Sequence, residues 1–270
     1  MPHPFRDAVF LGAIQGVTEF LPISSDGHLA LAQLLFEMEQ GSLTFNVMLH
    51  AGTLIATLIV LWSRVGRAAG DGFRALIQPS RFRSTPGGRD AATVILASLP
   101  TALIGLLLRD AVESWTSSPL AVGVGFLLTS ACVLSTYWVR PGQKEQPSLP
   151  GALLIGFAQG LAVVPGLSRS GSTIACAMWL GVRPERAFEL SFLMSLPAVL
   201  GAILLESRHA FGGPFPVAPV LAGTLVSLVV GIAAMLLLRK VVMRGRFALF
   251  ALWTVPIALA TLAMAAAWPA

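Results

Sequence analysis

The fold class this sequence predicts is an all-α integral membrane protein, with six transmembrane helices and two re-entrant helical hairpins in an inverted-topology repeat. Three observations predict it. Of the 270 residues, 55% are hydrophobic and only 11% are charged, whereas a soluble domain carries about 25% charged residues. The mean hydropathy of +0.78 excludes a soluble globular enzyme, a disordered regulator and a coiled coil. Short apolar pieces broken by Pro, Gly and Ser also occur twice, in the same order. On a soluble chain the formal net charge of +5 would suggest nucleic acid; here the basic loops that orient a membrane protein account for it, and no nucleic-acid partner is expected. Cys132 and Cys176 lie in apolar stretches and read as packing residues. Gln15 and Glu19 interrupt the first apolar run and no small-residue cleavage site follows, so a cleaved signal peptide is not expected.

Six stretches are apolar and long enough to cross a bilayer, which takes about 20 residues: 42–62, 91–108, 119–139, 187–205, 217–238 and 247–268. Pro100 and Pro197 fall within spans, where neighbouring helices can satisfy the freed carbonyls. Four further pieces are too short to span alone. Residues 8–21 lead into the turn PISSDG and 28–36 follow it; 149–164 lead into PGLSRSG and 172–182 follow. Each pair reads as a hairpin that enters and leaves on one side, the rival being a full span broken by Pro and Gly.

Charge decides between these two readings. Fourteen of the 18 Lys and Arg residues fall in four loops. They are Arg64, Arg67, Arg74, Arg81, Arg83 and Arg89; Arg140 and Lys144; Arg183 and Arg186; and Arg239, Lys240, Arg244 and Arg246. With six spans and two hairpins all four loops share one side, and the positive-inside rule makes that side cytoplasmic and puts both termini outside. Full spans would split them.

The hairpins resemble each other at a constant offset of 144 residues: Gly12, Gln15, Gly16, Ser24 and Gly27 align with Gly156, Gln159, Gly160, Ser168 and Gly171. Three spans follow each hairpin, an odd number, so the second copy is inverted. The chain is then one membrane domain, 1–270, built from pseudo-repeats of about 1–139 and 149–270, an architecture usually met in transporters.

Ionisable groups are rare at membrane depth because burial in hydrocarbon penalises them. The first hairpin carries Gln15 and Glu19 on one helical face, then Ser24, Ser25, Asp26 and His28; the second carries Ser168, Arg169, Ser170, Gly171, Ser172 and Thr173. That inventory suits an anionic substrate with an oxygen-loving cation. The returning half-helices should start near His28 and Ser172, pointing backbone N–H groups and positive dipole ends at the tips. Two such N-termini and Arg169 form a phosphate site, and Glu19, at a helix C-terminal end, suits a divalent cation. Bland readings stand beside these: Ser24, Asp26, Ser168 and Ser170 as N-caps, Arg169 as a structural counter-ion to Glu19, and His28 as a carbonyl partner. Packing is the favoured reading of His50, and Glu189 near a span end needs no special role.

At these residues the sequence resembles undecaprenyl-diphosphate phosphatases of the BacA/UppP type. The resemblance covers most of the chain and rests on QGVTEFLPISSDGH (Gln15 to His28), FNVMLHAGT (Phe45 to Thr53), PGLSRSGST (Pro165 to Thr173) and FELSFLMSLPA. Gln15 stands where many members have Glu, and Asp26 where Ser or Thr is usual. The resemblance implies hydrolysis of undecaprenyl diphosphate to the monophosphate plus inorganic phosphate, recycling the lipid carrier of peptidoglycan synthesis at the outer face of the bacterial plasma membrane and conferring bacitracin resistance. It also implies Glu19, Ser25, His28 and Arg169 as the catalytic set. Gln15, Ser24, Ser168, Ser170, Gly171, Ser172 and Thr173 would contact substrate. Glu19, with Gln15 through its carbonyl, would bind Mg²⁺ or Ca²⁺. The attacking group is Ser25 with His28 as base, His28 itself, or water, with a slight preference for the first because i, i+3 spacing permits contact. A polyprenyl-phosphate flippase is the alternative. The expected partners are the polyprenyl diphosphate and membrane lipids. The oligomeric state is open, a homodimer being one arrangement it allows.

Overall fold

The structure, a computed structural model, describes residues 4–35, 43–210 and 216–267. Twelve α-helices dominate these residues, with two short 3₁₀ turns, Thr136–Trp138 and Phe247–Phe250, and an isolated bridge between Lys144 and Val182. The first half contains α1 (Pro4–Phe20), α2 (Ser25–Leu35), α3 (Leu43–Val60), α4 (Trp62–Ile77), α5 (Arg81–Ser84), α6 (Pro86–Thr116) and α7 (Pro119–Ser135). The second contains α8 (Leu149–Leu161), α9 (Arg169–Trp179), α10 (Pro184–Ala210), α11 (Val217–Met243) and α12 (Ala251–Ala267). Helices α6, α10 and α11, and α7 and α12 each together with its adjoining 3₁₀ turn, are long and apolar enough to cross a membrane, and a sixth such element arises if α3 and α4 are taken as one bent pair. Leu103, Leu106 and Leu107 of α6 and Leu221, Leu225 and Val229 of α11 are exposed. Such outward apolar faces belong against lipid: this is a multi-pass membrane protein.

Each expected span coincides with one helix: α6, α10 and α11 run longer than expected, whereas α3, α7 and α12 are shorter. The expected ends at Phe36, Ser42 and Trp268 lie outside the described residues. Three expectations need correcting. The returning half-helices begin at Ser25 and Arg169, three residues earlier than expected, because Ser24 and Ser168 accept hydrogen bonds from the N–H groups of Gly27 and Gly171 and so cap them. The stretch from 63 to 90, read as a basic loop, is mostly helix, with α4 bent 85° from α3. Arg186 is not a loop charge: it is 2% exposed and is bound by Asp90 of α6 and Glu189 of its own helix. Glu189, expected to be idle, also accepts from Arg64 Nε at 3.0 Å. A buried guanidinium requires such partners, since an unpaired charge away from water is strongly destabilising.

Glycines set how closely the half-helices approach the long ones. A Cβ on Gly12 would lie 2.4 Å from the Gly223 carbonyl oxygen, and one on Gly156 would lie 2.2 Å from that of Ala97. Helix α1 therefore packs backbone to backbone on α11, and α8 on α6. At the centre α9 is buried along most of its length, from Ser170 to Met178, among α7, α8 and α10. Around it lie Phe188, Phe192 and Met194 of α10 and Met235 and Leu238 of α11 in one apolar core.

Candidate active site

Helix α1 ends, and α2 begins, around the turn Leu21–Ser24, where Ser24 adopts a left-handed φ of 70°. Non-glycine residues occupy that region only when their surroundings hold them there. The matching turn between α8 and α9 carries Gly166 at φ +88°, where a Cβ would strike the Val122 carbonyl. The two turns touch. A Cβ on Gly27 would stand 2.8 Å from Gly166 Cα, and one on Gly171 would meet Pro22 Cβ at 3.4 Å. Thr129 of α7 fixes the second turn, donating to the Gly166 carbonyl at 2.7 Å and accepting from the Ser168 N–H at 2.7 Å.

This contact brings Arg169 to Glu19. The Arg169 guanidinium donates to Glu19 Oε1, and Glu19 Oε2 accepts from Ser25 Oγ at 2.9 Å and from Gln15 Nε2 at 3.1 Å. His50 Nε2 lies 4.0 Å from the same oxygen. Glu19 is thus held by one cation, one hydroxyl and one amide, all drawn from the expected set. Glu19, Ser24, Ser25, Asp26, Ser168 and Arg169 line a cavity of about 460 Å³. The apolar Val163, Leu167, Ala198, Val199 and Ile203 line it as well. Such a mixed lining can hold an anion beside an aliphatic chain.

Other expected site residues stand elsewhere. The hydroxyls of Ser170, Ser172 and Thr173 are buried and bonded within the protein: Ser170 Oγ pairs with Ser168 Oγ, Ser172 Oγ donates to the Ser168 carbonyl, and Thr173 Oγ1 donates to the Arg169 carbonyl and pairs with Ser191. With Gly171 they shape the turn behind the cavity wall. Gln15 is fully buried behind Glu19 and orients its carboxylate.

His28 differs most from expectation. The contact with Ser25 that i, i+3 spacing permits is not made. Its Nδ1 bonds the Ser24 carbonyl at 2.8 Å, its Nε2 accepts from the Trp253 indole at 3.0 Å, and its ring lies nearly parallel to that of Trp253 and T-shaped to that of Phe126. Both ring nitrogens are engaged away from Ser25, because Trp253, 225 residues later, offers the imidazole an indole N–H. His50, expected to pack, lines the cavity instead, its Nδ1 bonded to the Asn46 carbonyl at 3.0 Å. A polar pair at i, i+4 in an apolar helix was the available signal for it.

Fit to a divalent cation can be judged from the donors. Glu19 and Asp26 offer hard carboxylate oxygens at the cavity, and Gln15 Oε1 is a buried carbonyl oxygen with no hydrogen-bond partner among the described residues. Among those residues no three His, Cys, Asp or Glu side chains gather into a metal cage. The set fits an ion of the Mg²⁺ kind, which is commonly held by one or two carboxylates plus substrate phosphates.

These features define a class: a multi-pass helical membrane protein whose two helix breaks converge on a cavity lined by charged, polar and apolar side chains. The family profile described as "Bacitracin resistance protein BacA" matches residues 8–260, and the chain belongs to that family. It is 35% identical over 263 residues to an undecaprenyl-diphosphatase of Bacteroides fragilis, covering 95% of this chain and 96% of that protein. It is 40% identical over 255 residues to one from Desulforapulum autotrophicum (90% and 92% covered). With the enzyme of the same name from Desulfosudis oleivorans it shares 42% identity over 256 residues (90% and 92% covered).

Proposed function

We propose that this chain is a membrane hydrolase that converts undecaprenyl diphosphate to undecaprenyl phosphate and inorganic phosphate, recycling the lipid carrier of peptidoglycan synthesis and conferring bacitracin resistance. The observation that carries this reading is the Arg169–Glu19–Ser25 cluster in a cavity that is also lined by the apolar Val163, Ala198, Val199 and Ile203. A diphosphate headgroup and a prenyl chain need those two environments side by side. In this reading the α1–α2 and α8–α9 pairs are re-entrant hairpins of an inverted repeat. The equivalent packing of Gly12 on α11 and Gly156 on α6 supports it. Both termini and the cavity mouth face outward across the bacterial plasma membrane, which agrees with fourteen basic residues on the opposite side.

Before substrate arrives, Arg169 and Ser25 are both held by Glu19. The terminal phosphoryl group competes for the Arg169 guanidinium, which can engage two phosphate oxygens at once. The N-termini of α2 and α9 add backbone N–H groups and positive dipole ends. Freed of its ion pair, Glu19 is the base nearest Ser25 and accepts its proton. Ser25 Oγ attacks the terminal phosphorus, the bond to the bridging oxygen breaks, and undecaprenyl phosphate leaves. Water then cleaves the phosphoserine, releasing inorganic phosphate and returning the proton to Ser25. Arg169 stabilises the charge on the equatorial oxygens in both transfers. A divalent cation would be held by Glu19 and Asp26 and would neutralise charge on the diphosphate.

The test is phosphate release from undecaprenyl and farnesyl diphosphates by the purified protein in detergent micelles. A hydrolase releases phosphate there. A flippase, which acts only between two sides of a membrane, releases none, and that outcome would overturn the proposal.

A further inference from the structure

Helix α4 does not continue the span that precedes it. Its axis turns 85° from that of α3, at Leu61, whose backbone leaves the helical range. Helix α3 alone, with 18 residues, reaches about 27 Å at 1.5 Å per residue, close to the hydrocarbon thickness of about 30 Å. With α3 across the membrane, α4 lies nearly in the membrane plane.

Its sequence, WSRVGRAAGDGFRALI, divides the helix into three faces. Ala68 and Ala75 are buried, and Gly72 meets Ala91, seating this side on the start of α6. Trp62, Phe73, Leu76 and Ile77 form a second, apolar face and are between 70% and 80% exposed. Ser63, Arg67 and Arg74 form a third, polar face, also exposed, with Asp71 half-buried between. Beyond α4, Arg83 and Arg89 are exposed and Arg81 is half-exposed. From residue 62 to 89 six arginines stand against one acid, Asp71. Were α4 part of a bent span, Arg67, Asp71 and Arg74 would sit in hydrocarbon, which strongly disfavours them. An apolar face beside a basic one is the pattern of a helix lying in the headgroup layer.

We infer that α4 and α5 form an interfacial platform on the cytoplasmic leaflet: Trp62, Phe73, Leu76 and Ile77 enter the acyl boundary, while Arg67, Arg74, Arg81 and Arg83 hold anionic lipid headgroups. The charge favours lipid over a second copy of the chain, since two such surfaces would bring like charges together. This inference does not depend on the proposed chemistry.

The test uses the full-length protein lacking Cys132 and Cys176 (both →Ala), spin-labelled at Phe73→Cys or at Arg67→Cys. It is reconstituted in phosphatidylcholine vesicles with or without a one-third share of phosphatidylglycerol. The Phe73 label should be reached by oxygen and shielded from a water-soluble nickel chelate, and the Arg67 label should show the reverse. In the protein carrying Arg67, Arg74, Arg81 and Arg83 all →Gln, binding of short-chain phosphatidylglycerol in detergent should weaken by roughly fivefold per arginine, the equivalent of about 1 kcal/mol each. Three results overturn the inference: a Phe73 label open to nickel in both vesicle types, dipolar broadening between Phe73 labels (a second copy covers the face), or unchanged phosphatidylglycerol binding by the quadruple variant.

Discussion

Arg169 and Glu19 stand 150 residues apart in the chain and form an ion pair where the two helix breaks meet. The carboxylate that neutralises Arg169 also accepts the Ser25 hydroxyl. One anion therefore restrains both the group that would bind phosphate and the group that would attack it. In the proposed mechanism, binding of a diphosphate would exchange the first contact and free Glu19 for the second.

The hydrogen bond from Ser25 to Glu19 makes Ser25 the proposed nucleophile. Brief reaction with labelled diphosphate, quenched in acid, should leave phosphate on Ser25, and Ser25→Ala protein should carry none. Trp253→Phe, which removes the hydrogen bond to His28, should still label Ser25. Phosphohistidine at His28 would contradict the assignment.

Cation dependence is the next expectation. A chelator should stop phosphate release, and Mg²⁺ or Ca²⁺ should restore it. Asp26→Asn removes one of the two cavity carboxylates and should raise the cation concentration needed for half-maximal rate, measured by metal titration. Full activity in chelator would remove the cation from the mechanism.

Gly12→Ala places a methyl group 2.4 Å from the Gly223 carbonyl. Overpacking of this kind costs about 1–3 kcal/mol, so the melting temperature in detergent should fall. Gly105→Ala, where nothing lies within 4 Å, is the control; it should be neutral or slightly stabilising because alanine favours helix.

Arg186→Met strips Asp90 and Glu189 of their buried partner. Breaking such a pair on one side costs about 3–5 kcal/mol. Adding Asp90→Asn and Glu189→Gln to the same protein should recover part of the loss, as read from thermal unfolding.

Much of this was legible in the sequence because the membrane penalises exceptions. Glu19 and Arg169 stood out as ionisable groups inside apolar runs, and the Pro, Gly and Ser between half-helices marked the turns. Helix α4 is hidden in the sequence because its arginines read as loop charge and mask the apolar period through Trp62, Val65, Ala69, Phe73 and Leu76. The Arg186 cluster depends on Asp90, 96 residues away, and no local pattern pairs them. For His28, spacing permitted one contact and a distant tryptophan supplied another. Sequence distance does not encode which of two partners a side chain chooses.

The central claim is that Arg169 and Glu19 act together on one diphosphate. Its most direct test is the rate of phosphate release from undecaprenyl diphosphate by Arg169→Ala, Glu19→Gln and the double variant, each shown to be folded. Each single variant should lose about a thousandfold or more, and the double should be no slower than the slower single, as for residues acting as one unit. Release within a few-fold of the unsubstituted protein by either single variant would contradict the account.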